Sequence, residues 1–234
     1  MNFRYKLISK DGIFQQANLI KTKDNISPWL YDKIVSNKLY NYVAWANKID
    51  TYINFAKKAL KSAKGLILDI PCGPASFTYK LYAQTKHAPV ILSDLSLASL
   101  QYARKRILDI NPQTNVMFIR QNAYDLVFED NTIDTILSQG ILHILTKPNV
   151  LINEVQRVLR PQGKAYFSAL VNDRKISALF LKLLHKLGHI AKPLSSKQIE
   201  NFFAQSKLKI ISSYRIGGML YIIVQKSKNK KSIT

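Results

Sequence analysis

From Gly65 onward the chain alternates short apolar runs with segments of helical periodicity, and this alternation restricts the fold more than any other feature. Residues 65–70 (GLILDI), 90–94 (VILSD), 116–119 (VMFI), 135–138 (TILS) and 164–170 (KAYFSAL) read as strands. Residues 76–87 and 96–110 and the segment opened by Pro148 read as helices. Apolar strands separated by helices belong to a parallel sheet whose crossovers cover both faces. Two further runs, 208–215 and 219–225, are joined by Gly217-Gly218 and lie too close together for a crossover, so they pair antiparallel at one edge. The expectation is an α/β fold: a doubly wound, mostly parallel seven-stranded sheet with an antiparallel C-terminal strand pair.

The flanks differ from this core. Residues 3–20 read as two short strands around Asp11-Gly12, a hairpin turn signal. From Ser27-Pro28 the pattern is helical, with Leu39, Tyr42, Val43, Ala46, Ile49, Ile53, Ala56 and Leu60 at spacings of three and four. Residues 1–64 therefore form a hairpin and helical cap, 65–225 the main domain, and 226–234 a basic tail. Within the main domain, 176–195 reads as a cap insertion. Its helix, 176–187, places Ile176, Leu179, Phe180, Leu183, Leu184 and Leu187 on one side and Lys175, Lys182 and Lys186 on the other.

Charge divides the same way. Of a net +21, the central residues 65–170 contribute almost nothing, with 10 cationic against 8 acidic side chains. Residues 1–64 carry 12 against 4 and residues 171–234 carry 13 against 2. Basic flanks suit an anionic membrane surface or RNA. However, 27 of the 35 cations are lysine, a weaker sign of phosphate recognition than arginine, and compositional bias is an equal reading. With Cys72 the only cysteine, neither an internal disulfide nor a cysteine-built zinc site is available. No apolar run is long enough to span a membrane and the N-terminus lacks a signal-peptide pattern, so a cytoplasmic chain, or one peripheral to a membrane, is expected.

Ligands of open parallel sheets sit beyond the carboxyl ends of the strands, which makes each strand-to-helix junction a place to look. The first junction reads Asp69-Ile70-Pro71-Cys72-Gly73-Pro74-Ala75-Ser76. Gly73 permits close approach to the backbone. A dinucleotide fold would place glycines where Pro71 and Ala75 stand, and Pro71 has no amide to offer a pyrophosphate. The second junction, Ser93-Asp94-Leu95-Ser96, ends in an acid 25 residues after Asp69, suited to accept two ribose hydroxyls, with Leu95 against a base. Ser96 also reads as a plain helix cap. At the third, Asn122 and the amide of Ala123 can read an adenine edge, although Asn is common in turns for backbone reasons alone. The fourth carries Ser138 and Gln139, followed by His143.

Together these junctions resemble the S-adenosylmethionine (SAM)-binding motifs of the class I methyltransferases. In that broad family the first strand reads LD-x-(G/P)-CG-x-G. Glu154-Val-Gln-Arg157-Val158-Leu159-Arg160-Pro161-Gln162-Gly163 resembles the family's E-x-x-R-V-L-(K/R)-P-G-G signature. The resemblance covers roughly residues 65–171. Three positions depart from it: Ala75 where glycine is usual, Asn122 where Asp is common, and Gln162 for the first glycine of Pro-Gly-Gly.

The resemblance implies a Rossmann-like methyltransferase with SAM as cofactor. It would be held by Asp69, Pro71, Cys72, Gly73, Asp94, Leu95, Asn122, Ala123, Ser138 and Gln139. Transfer to carbon, nitrogen or oxygen is an in-line displacement from a sulfonium, so the protein mainly aligns the reactants and needs no covalent residue and no metal. Cys72 reads as packing rather than as a nucleophile. His143 is the candidate general base, with a structural histidine as the competing reading. Tyr31, Tyr40, Tyr42 and Trp45 can wall an acceptor pocket if the N-terminal helices cap the cofactor, or simply fill a core. The expected acceptor is a small molecule, lipid-like or quinone-like. RNA and a non-catalytic binding role are the alternatives.

Overall fold

The computed structural model describes residues 2–16, 19, 27–84 and 87–228. The N-terminal part forms β1 (Leu7–Lys10), β2 (Ile13–Gln16), α1 (Pro28–Val35), α2 (Lys38–Trp45) and α3 (Ile49–Ser62). The alternating part follows as β3 (Ile67–Asp69), α4 (Tyr79–Gln84), β4 (Val90–Asp94), α5 (Leu97–Leu108), β5 (Val116–Arg120), β6 (Ile133–Gln139), α6 (Pro148–Val158) and β7 (Leu159–Leu170). The chain then builds α7 (Lys175–Lys186), α8 (Ser196–Ala204), β8 (Leu208–Ile216) and β9 (Met219–Lys226).

Helix starts are set by local chemistry. The side chains of Ser27, Asn37 and Ser96 accept the amides of Leu30, Tyr40 and Ser99, and Ser195 forms a reciprocal capping box with Gln198. Pro28 and Pro148 stand in first turns, where a missing N–H costs nothing. Asn37 separates α1 from α2, and Ala46, in the left-handed conformation, ends α2.

All strands join one sheet, ordered β1-β2-β5-β4-β3-β6-β7-β9-β8. The strands from β2 to β7 in that order run parallel, and β9 returns antiparallel between β7 and β8. The strand count is nine rather than seven because the N-terminal hairpin is not separate: β2 pairs parallel with β5, Ile13 opposite Phe118. Residues 1–64 thus contribute a sheet extension as well as helices. The part of the basic tail from residue 229 lies outside the described residues.

One face of the sheet packs on α6 and α8 through Leu151, Val155, Val158, Ile199 and Phe203. The opposite face carries two cores, one against α4 and α5 and one under α2, α3 and α7. The expected single apolar face of residues 176–187 is divided: Phe180, Leu181 and Leu184 enter the second of these cores, while Ile176, Leu179, Leu183 and Leu187 remain exposed.

Candidate functional site

Winding reverses between β3 and β6: the chain runs outward through β4 and β5, then restarts beside β3 with β6 and continues through β7. A crevice beyond the carboxyl ends of the strands forms at such a switch point.

At the end of β3, Asp69 is buried and accepts a hydrogen bond from the Tyr82 hydroxyl at 2.7 Å. Desolvation raises its pKa to about 7, with the Asp94 charge adding and the Tyr82 hydrogen bond opposing. The turn that follows is packed, with Ala75 buried, yet a Cβ built on Gly73 at φ +53° meets nothing within 4 Å. Gly73 therefore presents bare backbone to open space. The Cys72 thiol donates to the Gly73 carbonyl at 3.3 Å. Burial first, then Asp94 and Asp69, raises its pKa far above the usual range, which keeps it protonated and unreactive.

Asp94 ties the second junction to the first. One carboxylate oxygen accepts the Gly73 amide at 2.8 Å and the other accepts the Ser96 amide at 2.9 Å. The carbonyl of Leu95 accepts Arg120 Nε at 2.9 Å, which fixes the backbone of Leu95. Tyr31, on α1, stays 41% exposed, but partial desolvation and then the nearby Asp94 charge push its hydroxyl up to about 12. Of the aromatic residues expected around an acceptor, Tyr31 thus lies within the electrostatic reach of the second junction.

At the third junction, Asn122 uses its side-chain oxygen to accept the Tyr124 amide at 3.0 Å, which is the turn-forming role. Ala123 is half-buried at the margin of the core. Gln121 is buried, donates to Ser93 Oγ at 2.7 Å and accepts the Val127 amide at 2.8 Å, linking this loop to the second.

The fourth junction holds the sharpest signal. Among the described residues, four buried side-chain polar atoms lack a hydrogen-bond partner: Ser76 Oγ, Ser138 Oγ, Gln139 Oε1 and Ser168 Oγ. Ser138 and Gln139 close β6, Ser168 lies near the end of β7 directly opposite Gln139 in the sheet register, and Ser76 lies in the loop between β3 and α4. Buried polar atoms are almost always paired, so a set of orphans at one rim marks a place for polar groups of a ligand. Ser168 was not singled out from sequence, since it lies two residues before the end of its strand rather than at the strand-to-helix junction.

His143 has a different neighbourhood. Its Nδ1 accepts the Leu170 amide at 3.2 Å, and burial lowers its pKa to about 4. The neutral ring, which accepts this amide at Nδ1, therefore carries its proton on Nε2.

The rim over β7 is closed by the N-terminal helices. The β8–β9 turn approaches the α2–α3 turn so closely that a side chain on Gly217, at φ +58°, would collide with the carbonyls of Trp45 and Ala46. The Gly218 amide donates to Trp45 O at 2.7 Å, and Ser177 Oγ, from α7, donates to Ala44 O at 2.9 Å. Trp45 is buried here, with Tyr40 edge-on to it, whereas Tyr42 faces outward. Tyr52 of α3 stacks on Phe77 of the first junction, with ring centres 4.6 Å apart. On the other side, Arg106 of α5 pairs with Asp32 of α1 at 3.0 Å, donates to Pro74 O at 3.2 Å and lies over the Tyr79 ring. No sequence signal pointed to this clamp.

Glu154 and Arg157 form a scaffold. Both guanidinium Nε and Nη2 donate to the Glu154 carboxylate, at 2.8 and 2.7 Å. Arg157 also donates to Phe128 O and Leu126 O, while Glu154 accepts the Leu126 amide at 2.7 Å. Together they fasten α6 to the loop after β5.

Residues 67–163 match a family model described as a methyltransferase domain. A ubiquinone/menaquinone biosynthesis C-methyltransferase, UbiE, of Rickettsia prowazekii (strain Madrid E) is 33% identical over 102 residues, 42% of this chain and 41% of the relative. A chloroplastic uncharacterised methyltransferase of Arabidopsis thaliana is 26% identical over 68% of this chain and 44% of its own length. The chain thus spans about two-fifths of the length of these curated relatives. A crystal structure of a SAM-dependent methyltransferase from Aquifex aeolicus superposes with a TM-score of 0.63 over 86% of this chain and 99% of that one; at 14% identity the likeness shows the fold. Residues 67–163, which carry the strand-end motifs, are thus similar to a methyltransferase domain, and the chain shares the fold of the SAM-dependent methyltransferase from Aquifex aeolicus.

Proposed function

We propose that the chain transfers the methyl group of SAM to a small-molecule acceptor of lipid or quinone-like character. The observation that carries this reading is the set of orphaned polar atoms at the rim where Gly73 lies open and Asp94 ends β4. These features fit SAM. Gly73 offers backbone without a side chain, Asp94 places a carboxylate at the end of β4 for ribose hydroxyls, and Asp69 can balance the cationic amino group. Leu95, Asn122 and the Ala123 amide border the adenine end; Pro71 and Cys72 shape the turn. Ser138, Gln139, Ser76 and Ser168 supply polar groups towards the methionine end and the acceptor.

Bound SAM supplies a methyl group on a sulfonium that is already a good leaving group. The residues of this chain bind, orient and exclude water, an approximation worth up to roughly 7–11 kcal/mol in favourable cases. Gln139 and Ser168, side by side under α2 and α3, are the groups proposed to orient the acceptor. His143 holds the end of β7 through Leu170 and takes no proton. The acceptor class rests on the sequence similarity to a ubiquinone/menaquinone biosynthesis C-methyltransferase.

The test is to incubate the protein with methyl-labelled SAM and a cell extract, then separate small-molecule, lipid, protein and RNA fractions. Label in the lipid or small-molecule fraction is expected. Label confined to RNA or protein would overturn the acceptor class.

A further inference from the structure

The exposed large apolar side chains of this protein are concentrated on three helices of the cap. On α7, Ile176, Leu179, Leu183 and Leu187 are 45–69% exposed, a row at spacings of three and four. On α2, Leu39, Tyr42 and Val43 form a second exposed row, and on α1, Trp29, Leu30 and Ile34 a third. α2 packs against α7, and Arg174 at the start of α7 donates to Val43 O at 3.3 Å, so at least two of these rows adjoin. Monomeric proteins rarely leave so many apolar side chains together on one part of the surface without a use for them.

Cations border the apolar rows. Lys175, Lys182 and Lys186 on α7, Lys38 on α2 and Lys33 on α1 are exposed. Neither α2 nor α7 carries an acidic residue, and Asp32 of α1 is turned to Arg106. Apolar side chains on convex helix faces, beside lysines whose stems can lie along them, are the arrangement that partitions into a lipid interface. A second copy would bring lysine against lysine on a chain of net charge +21, and RNA would leave the leucine row facing water. No helix among the described residues is long and apolar enough to cross a bilayer, so this contact lies in the interface plane.

We infer that α7, with α2 and α1 beside it, docks the protein on an anionic lipid bilayer, apolar rows in the interface and lysines at the headgroups. The inference goes beyond the proposed function and does not depend on it. The docked face belongs to the same helices that close the rim over β7, which sets the acceptor side of the crevice next to the bilayer.

Flotation of the full chain with vesicles tests this. At low salt the protein is expected to float with phosphatidylcholine–phosphatidylglycerol vesicles and to stay behind with phosphatidylcholine alone. The double variants Leu179→Asp/Leu183→Asp and Lys182→Glu/Lys186→Glu should each lose about tenfold or more in partitioning. These side chains point outward, so thermal unfolding should be unchanged; Leu39→Asp on α2 provides an independent variant. No flotation with anionic vesicles would overturn the inference, as would flotation sensitive to the lysines and indifferent to the leucines. A wild-type dimer in sedimentation velocity that Leu179→Asp dissociates would assign the face to a second copy, and RNA binding that depends on the leucines without flotation would assign it to RNA. SAM calorimetry on the same preparations reads the cofactor claim separately.

Discussion

Asp94 accepts the backbone amide of Gly73 at 2.8 Å across 21 residues of sequence, so the carboxylate proposed to bind ribose also holds the shape of the turn that presents bare backbone. Its other oxygen accepts the Ser96 amide. Asp94→Ala leaves two amides without their acceptor, at about 1–3 kcal/mol each, and should lower thermal stability together with SAM affinity. Asp94→Asn keeps one oxygen acceptor but turns an NH2 toward the other amide, so it should recover only part of the stability while still losing affinity. Equal affinity losses with no stability difference between the two would mean that the Gly73 contact does not organise the turn.

Asp69 makes the pH dependence specific. Its folded pKa is raised, to about 7 from 3.8, by desolvation above all. A raised carboxyl pKa means that its contribution to stability is full below about pH 4 and is lost as pH rises through about 7. Asp69→Asn, which keeps an acceptor for the Tyr82 hydroxyl, should therefore melt higher than wild type at pH 8, with the difference gone at pH 4. Because a cationic ligand group favours ionised Asp69, wild-type SAM affinity should climb between pH 6 and pH 8 with proton release, and Asp69→Asn should abolish that slope. Calorimetry in buffers of different ionisation enthalpy measures the proton.

Glu154 and Arg157 are four-fifths buried or more and bonded through two atoms each. Desolvation pushes the Glu154 pKa up, but Arg157 and the Leu126 amide outweigh it and the net shift is downward. Glu154→Ala leaves the Arg157 guanidinium with Asp130 and two carbonyls but removes its two-atom partner and the acceptor of the Leu126 amide, and should cost about 1–3 kcal/mol, read by denaturant unfolding. The depressed pKa gives stability above the unfolded carboxyl value, near pH 4.5, that fades as pH falls below it. Wild type should therefore lose its advantage over the variant under acid.

For His143, the hydrogen bond to Leu170 and a pKa near 4 predict a structural role. His143→Ala should destabilise by about 1–3 kcal/mol through the unpaired Leu170 amide. SAM affinity should be retained, and the pH–rate profile should keep its shape. A profile that loses an inflection in the variant would restore His143 as a base.

The parallel core and its first two junctions were legible because they are local: apolar runs end in Asp69 and Asp94, and the turn after Asp69 contains Gly73. The joining of β2 to β5 was not, since nothing within residues 13–16 says which distant strand they meet. The three departures from the family pattern acquire a physical reading. Ala75 and Gln162 adopt φ +53° and +67°, the left-handed region in which glycine is at ease, so these backbone turns persist at a steric cost of about 1–2 kcal/mol each. Asn122 retains the turn through its own side chain. The Arg106–Asp32 clamp and the contact of Gly217 with Trp45 depend on residues far apart in sequence, and no pattern of spacing encodes them. The division of the α7 apolar face between core and surface is likewise decided by what α2 leaves uncovered.

The most direct test of the cofactor assignment is isothermal titration calorimetry of the full chain with SAM and with S-adenosylhomocysteine, on wild type and Asp94→Asn. The account predicts saturable binding of both ligands to wild type and a loss of about tenfold or more in the variant, as expected for hydrogen bonds to a charged group. No measurable binding of either ligand to a folded wild-type protein, or identical affinities in wild type and variant, would contradict it.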